Sequence, residues 1–159
     1  MKEKKKLMQF MAEQLKIKSP TLPYPESFVK LKYNEKTANG LTMLIKIYIE
    51  AHGGEAERVS VTGRAIDNSK TVKDIFGHSR RIGSVTYIPS TMTIGSADLH
   101  ATINGRSVKI EVKIGKDRQS EAQKRYQESI VKAKGTYLIA TSFDQIVQEL
   151  EIIFKMPSL

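Results

Sequence analysis

Two short alternating runs flank Asn104-Gly105, and they set the clearest pattern along the chain. Asn-Gly suits the centre of a two-residue type I′ turn, where both residues take φ > 0. Such a turn places Ile103 opposite Arg106. The other facing pairs follow: Thr102 with Ser107, Ala101 with Val108, His100 with Lys109, Leu99 with Ile110, and Asp98 with Glu111. Leu99, Ala101, Val108 and Ile110 then share an apolar face, while His100, Thr102, Ser107 and Lys109 share a polar one.

Helical spacing marks four further segments. Leu7, Phe10, Met11 and Leu15 predict an amphipathic helix over 4–17. Leu41, Leu44, Ile45, Tyr48 and Ile49 predict a second, with Asn39 as N-cap and a stop at His52-Gly53-Gly54. Residues 120–134 predict a third, with Ala122, Tyr126, Ile130 and Ala133 inward and Gly135 as its cap. Phe143, Ile146, Val147, Leu150 and Phe154 predict a fourth, opened by Ser142 with a capping-box pattern through Gln145.

Strands are expected at 56–62, 85–88 and 137–141, and Pro20, Pro23 and Pro25 interrupt regular structure. Residues 64–82 read as a basic loop, with a short helix as an option around Val72–Phe76. A strand–helix–strand crossover from 106–113 to 136–141 requires parallel pairing, so the sheet is mixed and the class is α/β. The chain divides into an N-terminal helix and Pro-rich lead-in, 1–38, and a domain over 39–159.

Composition narrows the function. The 159 residues suffice for one core, and the absence of cysteine excludes disulfides and thiolate metal sites and suits a reducing, cytoplasmic setting. No apolar run approaches the ~20 residues of a membrane span. Lys2, Lys4, Lys5 and Lys6 lack the apolar stretch of a signal peptide and oppose the helix dipole, which predicts a frayed start or a partner there. The net charge of +9 favours a polyanion, most simply nucleic acid.

The hairpin supplies the candidate chemistry. Facing carboxylates have Cβ atoms about 4.5–5.5 Å apart, and like charges so placed are destabilising. A divalent cation such as Mg²⁺ or Mn²⁺ between Asp98 and Glu111 would resolve this, with the Val112 carbonyl as a third oxygen ligand. Lys113 projects from the same face as Glu111 and offers a point charge for a phosphate or a water. No Ser/His/Asp set and no Walker loop competes with this site.

Gln123 completes a capping box with Ser120, and the free N–H groups of that helix start would also lie near a phosphate. His100 and Lys109 read as a solvated cross-strand pair, His52 and His78 as loop residues, and Tyr126 as core. Arg64, Arg80, Arg81, Lys116, Arg118 and Ser120 are candidates for nucleic-acid contact.

Gly95-x-x-Asp98, the hairpin, Glu111-Val112-Lys113, Gln123 with Tyr126, and Lys134-Gly135-Thr136-Tyr137 together resemble the PD-(D/E)XK nuclease superfamily, and within it the VRR-NUC branch. Glu57-Arg58-Val59 through Thr62-Gly63 is similar to that branch's Arg-containing strand. The resemblance covers roughly 39–147. It implies a restriction-endonuclease-like α/β/α core around a mixed sheet, with an N-terminal helical extension. It also implies a Mg²⁺- or Mn²⁺-dependent deoxyribonuclease of the Holliday-junction-resolvase-like kind, acting as a homodimer.

Under that resemblance Asp98, Glu111 and the Val112 carbonyl hold the metal, Lys113 is catalytic, and Gln123 lies beside the site. The family's acid near the start of the first core helix has no counterpart at Asn39-Gly40; either Glu35 just upstream replaces it or the site works with fewer carboxylates. The competing expectation is a non-catalytic nucleic-acid-binding module on the same fold. A third is an accessory protein whose basic face meets an acidic protein surface.

Overall fold

The computed structural model describes residues 2–156. In chain order the elements are α1 (Lys2–Lys18), α2 (Ala38–Ala51), β1 (Glu55–Arg58), β2 (Arg64–Asp67), β3 (Lys70–Lys73), β4 (Ser79–Ile82), β5 (Val85–Ile88), β6 (Leu99–Ile103), β7 (Arg106–Val112), α3 (Glu121–Lys132), β8 (Thr136–Ala140) and α4 (Phe143–Phe154). A short 3-10 turn, Pro25–Ser27, follows the first prolines.

The main sheet has four strands in the order β1-β6-β7-β8. The hairpin register is the one the turn dictates, from Ile103 opposite Arg106 to Leu99 opposite Ile110. Asn104 and Gly105 have φ of 49° and 75°, as a type I′ turn demands. Crossover through α3 returns β8 parallel to β7, with Glu111 beside Ile139 and Val112 beside Ala140. β1 adds antiparallel to β6, with Arg58 opposite Leu99. The sheet is therefore mixed and the protein is α/β.

Leu41, Leu44, Ile45, Tyr48 and Ile49 of α2 are all fully buried, as are Phe143, Ile146 and Leu150 of α4. They pack with Leu99, Val108, Ile110 and Val112 in one cluster. Each such side chain contributes about 1.5–3 kcal/mol on leaving water. Alternation sends Glu111 and Lys109 to the opposite side of the sheet, where Gln123 and Tyr126 of α3 reach Glu111 and His100. The lead-in is packed against this body: Leu7 joins the same cluster, and the Glu3 N–H donates to Asp144 Oδ1 at 3.3 Å. α1 is thus continuous from Lys2, and its start is held by an acid from α4 rather than frayed.

Several boundaries differ from the sequence reading. Thr37, not Asn39, caps α2, because its hydroxyl accepts from Gly40 N at 3.1 Å. The strand expected over 56–62 is Glu55–Arg58, and Val61 is exposed. The left-handed residue after α3 is Lys134, with Gly135 N–H bonding Ile130 O at 2.9 Å. No residue of α3 is fully buried, so Tyr126 is half-exposed rather than core, and Ala133 is exposed. Ser142 caps α4, but the Gln145 side chain accepts from Thr141 N at 2.9 Å, so the capping box is displaced by one residue.

The largest departure lies at 64–82, which is neither loop nor helix; with β5, the strand expected at 85–88, it forms two antiparallel ladders, β2 with β5 and β3 with β4. Both ladders keep one register, and Asn68 N–H bonds Ser84 O at 3.1 Å between them. The segment is one two-stranded arm, nearly all of it exposed.

Candidate active site

The site forms where the hairpin ends at Asp98. Its carbonyl accepts from Val59 N at 2.9 Å, continuing the β1–β6 pairing. Its carboxylate reaches across to the partner strand, where Oδ2 accepts the Val112 N–H at 2.8 Å. The other oxygen, Oδ1, has no hydrogen-bond partner among the described residues.

Glu111 occupies an interior strand and is 1% exposed. Gln123 Nε2 donates to its Oε1, and Lys113 Nζ lies 3.1 Å from the same oxygen. Oε2 is buried with no hydrogen-bond partner among the described residues. Burial pushes the Glu111 carboxyl above its ordinary range, and the Asp98 charge pushes it further; the bond from Lys113 works against both. A desolvated carboxylate oxygen without a partner, next to a second acid, lacks positive charge.

Lys113 continues the strand, its N–H bonding Ala140 O at 2.9 Å. Its ammonium also bonds Gln123 Oε1 at 3.1 Å and lies 3.4 Å from Asp117 Oδ2. Burial draws the Lys113 ammonium down, but Glu111 and Asp117 outweigh that and leave it raised. It is therefore a fixed cation at neutral pH.

α3 is positioned by the same contacts. Ser120 is its N-cap and the capping box is complete: Gln123 N donates to Ser120 Oγ at 3.3 Å, and Ser120 N donates to Gln123 Oε1 at 2.9 Å. The helix and the site therefore share the Gln123 side chain. Gly95 explains the glycine in Gly95-x-x-Asp98. Its φ is +85°, and a Cβ there would stand 2.5 Å from the carbonyl of Ala122 and 2.8 Å from Gln123 N. Only glycine lets this strand lead lie against the first turn of α3.

Asp98, Glu111, Val112, Lys113, Gln123 and Ser120 are thus brought together. Glu35 is not: it lies in the turn before α2, and among the described residues no three acids or histidines gather as a metal cluster. Lys116 and Arg118 are exposed on the loop between β7 and α3, either side of Asp117. Arg64, Arg80 and Arg81 lie on the arm, where Arg81 is paired with Asp67 and Ser69.

Two residues at the site had no role in the sequence reading. Asp117 faces the site through Lys113 and adds negative charge near Glu111. Tyr137 has a buried hydroxyl; burial, then Glu111, pushes it up, and Gln119 works against both. The parallel register sets Tyr137 beside Lys109, on the Glu111 face, and that register was the available signal. His100 and Lys109 face each other as expected, but they are half-buried. Burial first, then Lys109, lowers His100, whose ring stacks against Tyr126 at 6.4 Å between centroids. His52 is bonded to Tyr48 O at 2.7 Å and stacked on Phe10, so it belongs to the helix end rather than a loop.

Comparison with protein-family profiles, curated proteins and solved structures returns no match for this chain.

Proposed function

We propose that the chain is a Mg²⁺- or Mn²⁺-dependent DNA endonuclease of PD-(D/E)XK type, built on a restriction-endonuclease-like core and directed at branched DNA. The observation that carries this reading is the buried, unpartnered Oε2 of Glu111 beside Asp98. Hard carboxylate oxygens suit these ions. Asp98, Glu111 and the Val112 carbonyl would hold the metal. Bound there, it would polarise a phosphoryl oxygen and lower the pKa of a bound water.

The protein's own groups have separate tasks. Lys113, whose ammonium lies 3.1 Å from Glu111 Oε1, offsets charge developing on the phosphate. Gln123 positions both Glu111 and Lys113. Lys116, Arg118 and the arm cations supply phosphate contacts for a basic, cysteine-free chain acting in the cytoplasm, as a homodimer on two arms of a junction. Among the described residues no helix is long and apolar enough to cross a membrane.

A second reading, a non-catalytic DNA-binding module, is favoured by one observation: Glu35 does not complete the acid set. Branched, flapped and linear DNA with Mg²⁺ or Mn²⁺ separates the two. The nuclease cuts at least one of them and loses cutting in Asp98→Ala, Glu111→Ala and Lys113→Ala. Binding without cutting, and no calorimetric Mn²⁺ signal, establishes the second reading.

A further inference from the structure

The arm over 64–88 carries chemistry that the carboxylate site does not use. Alternation puts Arg64, Lys70 and Arg80 on one face with Ile66, Val72, Ile82 and Ile88, and no acid among the paired positions of that face. Asp67, on the other face, is occupied by Arg81 and Ser69. Arg64, Lys70, Lys73 and Arg80 have no ion-pair partner among the described residues.

At the tip, Asp74 Oδ1 accepts from Phe76 N and His78 N, both at 2.9 Å, and so holds the turn that presents two apolar side chains outward. Ile75 is 93% exposed and Phe76 79%. An isolated two-stranded ribbon is marginal in water, and among the described residues no further strand pairs with this one. The arm extends on the order of 30 Å. Its root lies next to the site, where Val59 N bonds Asp98 O at 2.9 Å and Ser90 Oγ bonds Ser60 O at 3.2 Å.

We propose that this arm is a DNA probe: its cations follow the phosphates of a duplex, and Ile75 and Phe76 enter the base stack where the helix is interrupted. Charge complementarity selects the partner, since a two-stranded ribbon fits the major groove and its unpaired cations suit a polyanion. Apolar side chains at such a tip act as wedges between base steps. Insertion is easiest where bases already lack a stacked neighbour, so the tip selects branches over continuous duplex. The inference rests on the reading that the chain acts on DNA, and it names the substrate feature recognised beside that same site.

The test uses the whole chain in EDTA, with a four-way junction carrying 2-aminopurine at the branch and a matched linear duplex. The wild type raises 2-aminopurine fluorescence on the junction and binds it more tightly than the duplex. Ile75→Ser/Phe76→Ser abolishes the fluorescence rise and the preference while keeping duplex affinity within about threefold. Neutralising Arg64, Lys70, Lys73 and Arg80 to Gln weakens both substrates at least tenfold. It also reduces the salt slope by about 3–4, near 0.9 per phosphate contact. Circular dichroism checks that these exposed substitutions leave the fold intact.

Full fluorescence in the tip variant, or unchanged affinity in the neutralised one, overturns the proposal. So does a wild-type dimer that becomes monomeric in the tip variant, which assigns the tip to a second copy. No cleavage is read in EDTA, so a protein that probes DNA but never cuts refutes only the nuclease, and one that cuts without using the arm refutes only the probe.

Discussion

Gln123 and Glu111 are joined side chain to side chain: the Gln123 amide donates from Nε2 to Glu111 Oε1 while its own oxygen accepts from Ser120 N and Lys113 Nζ. One amide thereby closes the helix cap and orients two charged members of the candidate site, Glu111 and Lys113.

Gln123 and Ser120 should separate by substitution. Ser120→Ala removes only the cap, about 1 kcal/mol in denaturant unfolding, and leaves Mn²⁺ affinity within about threefold. Gln123→Ala removes the cap partner and the Glu111 bond, costs about 1–3 kcal/mol, and lowers Mn²⁺ affinity 10–100-fold, a range typical of groups that orient metal ligands. Equal Mn²⁺ affinities in the two variants by calorimetry would show that the amide does not position Glu111.

Asp98→Asn keeps an oxygen to accept the Val112 N–H but removes a like charge beside Glu111. The Glu111 carboxyl should titrate lower in the metal-free variant, as followed by carboxyl carbon NMR, and Mn²⁺ binding should vanish. An unmoved Glu111 titration would mean that Asp98 is too distant to share a cation with it.

pH acts on Glu111 with a definite sign. Its carboxyl lies above the ordinary 4.5, so the folded state holds a proton that the unfolded state has released. Metal-free stability therefore falls as pH rises from the ordinary value through the raised one, relative to Glu111→Gln. Metal binding needs the ionised form, so Mn²⁺ affinity rises over the same window, up to tenfold per unit for one displaced proton. Denaturation and calorimetry across about pH 4–8 read both trends, and parallel rather than opposite slopes would contradict the assignment.

Gly95→Ala places a methyl group 2.5 Å from the Ala122 carbonyl at a φ of +85°. The expected loss is about 2 kcal/mol or more, with Mn²⁺ affinity falling because the turn that carries Gln123 moves away. Wild-type stability in this variant would show that the lead into Asp98 gives way without disturbing α3.

Much of this molecule was legible in local chemistry. Asn104-Gly105 determined the hairpin register by its turn type, and the ladder runs from Ile103 opposite Arg106 to Leu99 opposite Ile110, the pair next to Asp98 and Glu111. The apolar stripes of α2 and α4 determined their buried faces, and Ser120 with Gln123 determined where α3 begins. These are short-range constraints, written in spacings of two to four residues.

The tertiary structure decided what those spacings cannot encode. Three of the arm's four strands were missed because a two-stranded ribbon with both faces in solvent needs no apolar alternation, and the lysines, arginines and threonines of β3 and β4 look like loop. The approach of Tyr137 to Glu111, and the burial that strands its Oε2, arise from the parallel return of β8 through α3. Sequence order places Glu111 on β7 and Asp98 one residue before β6, its hairpin partner. Desolvation by the surrounding elements is what turns them into a site short of positive charge.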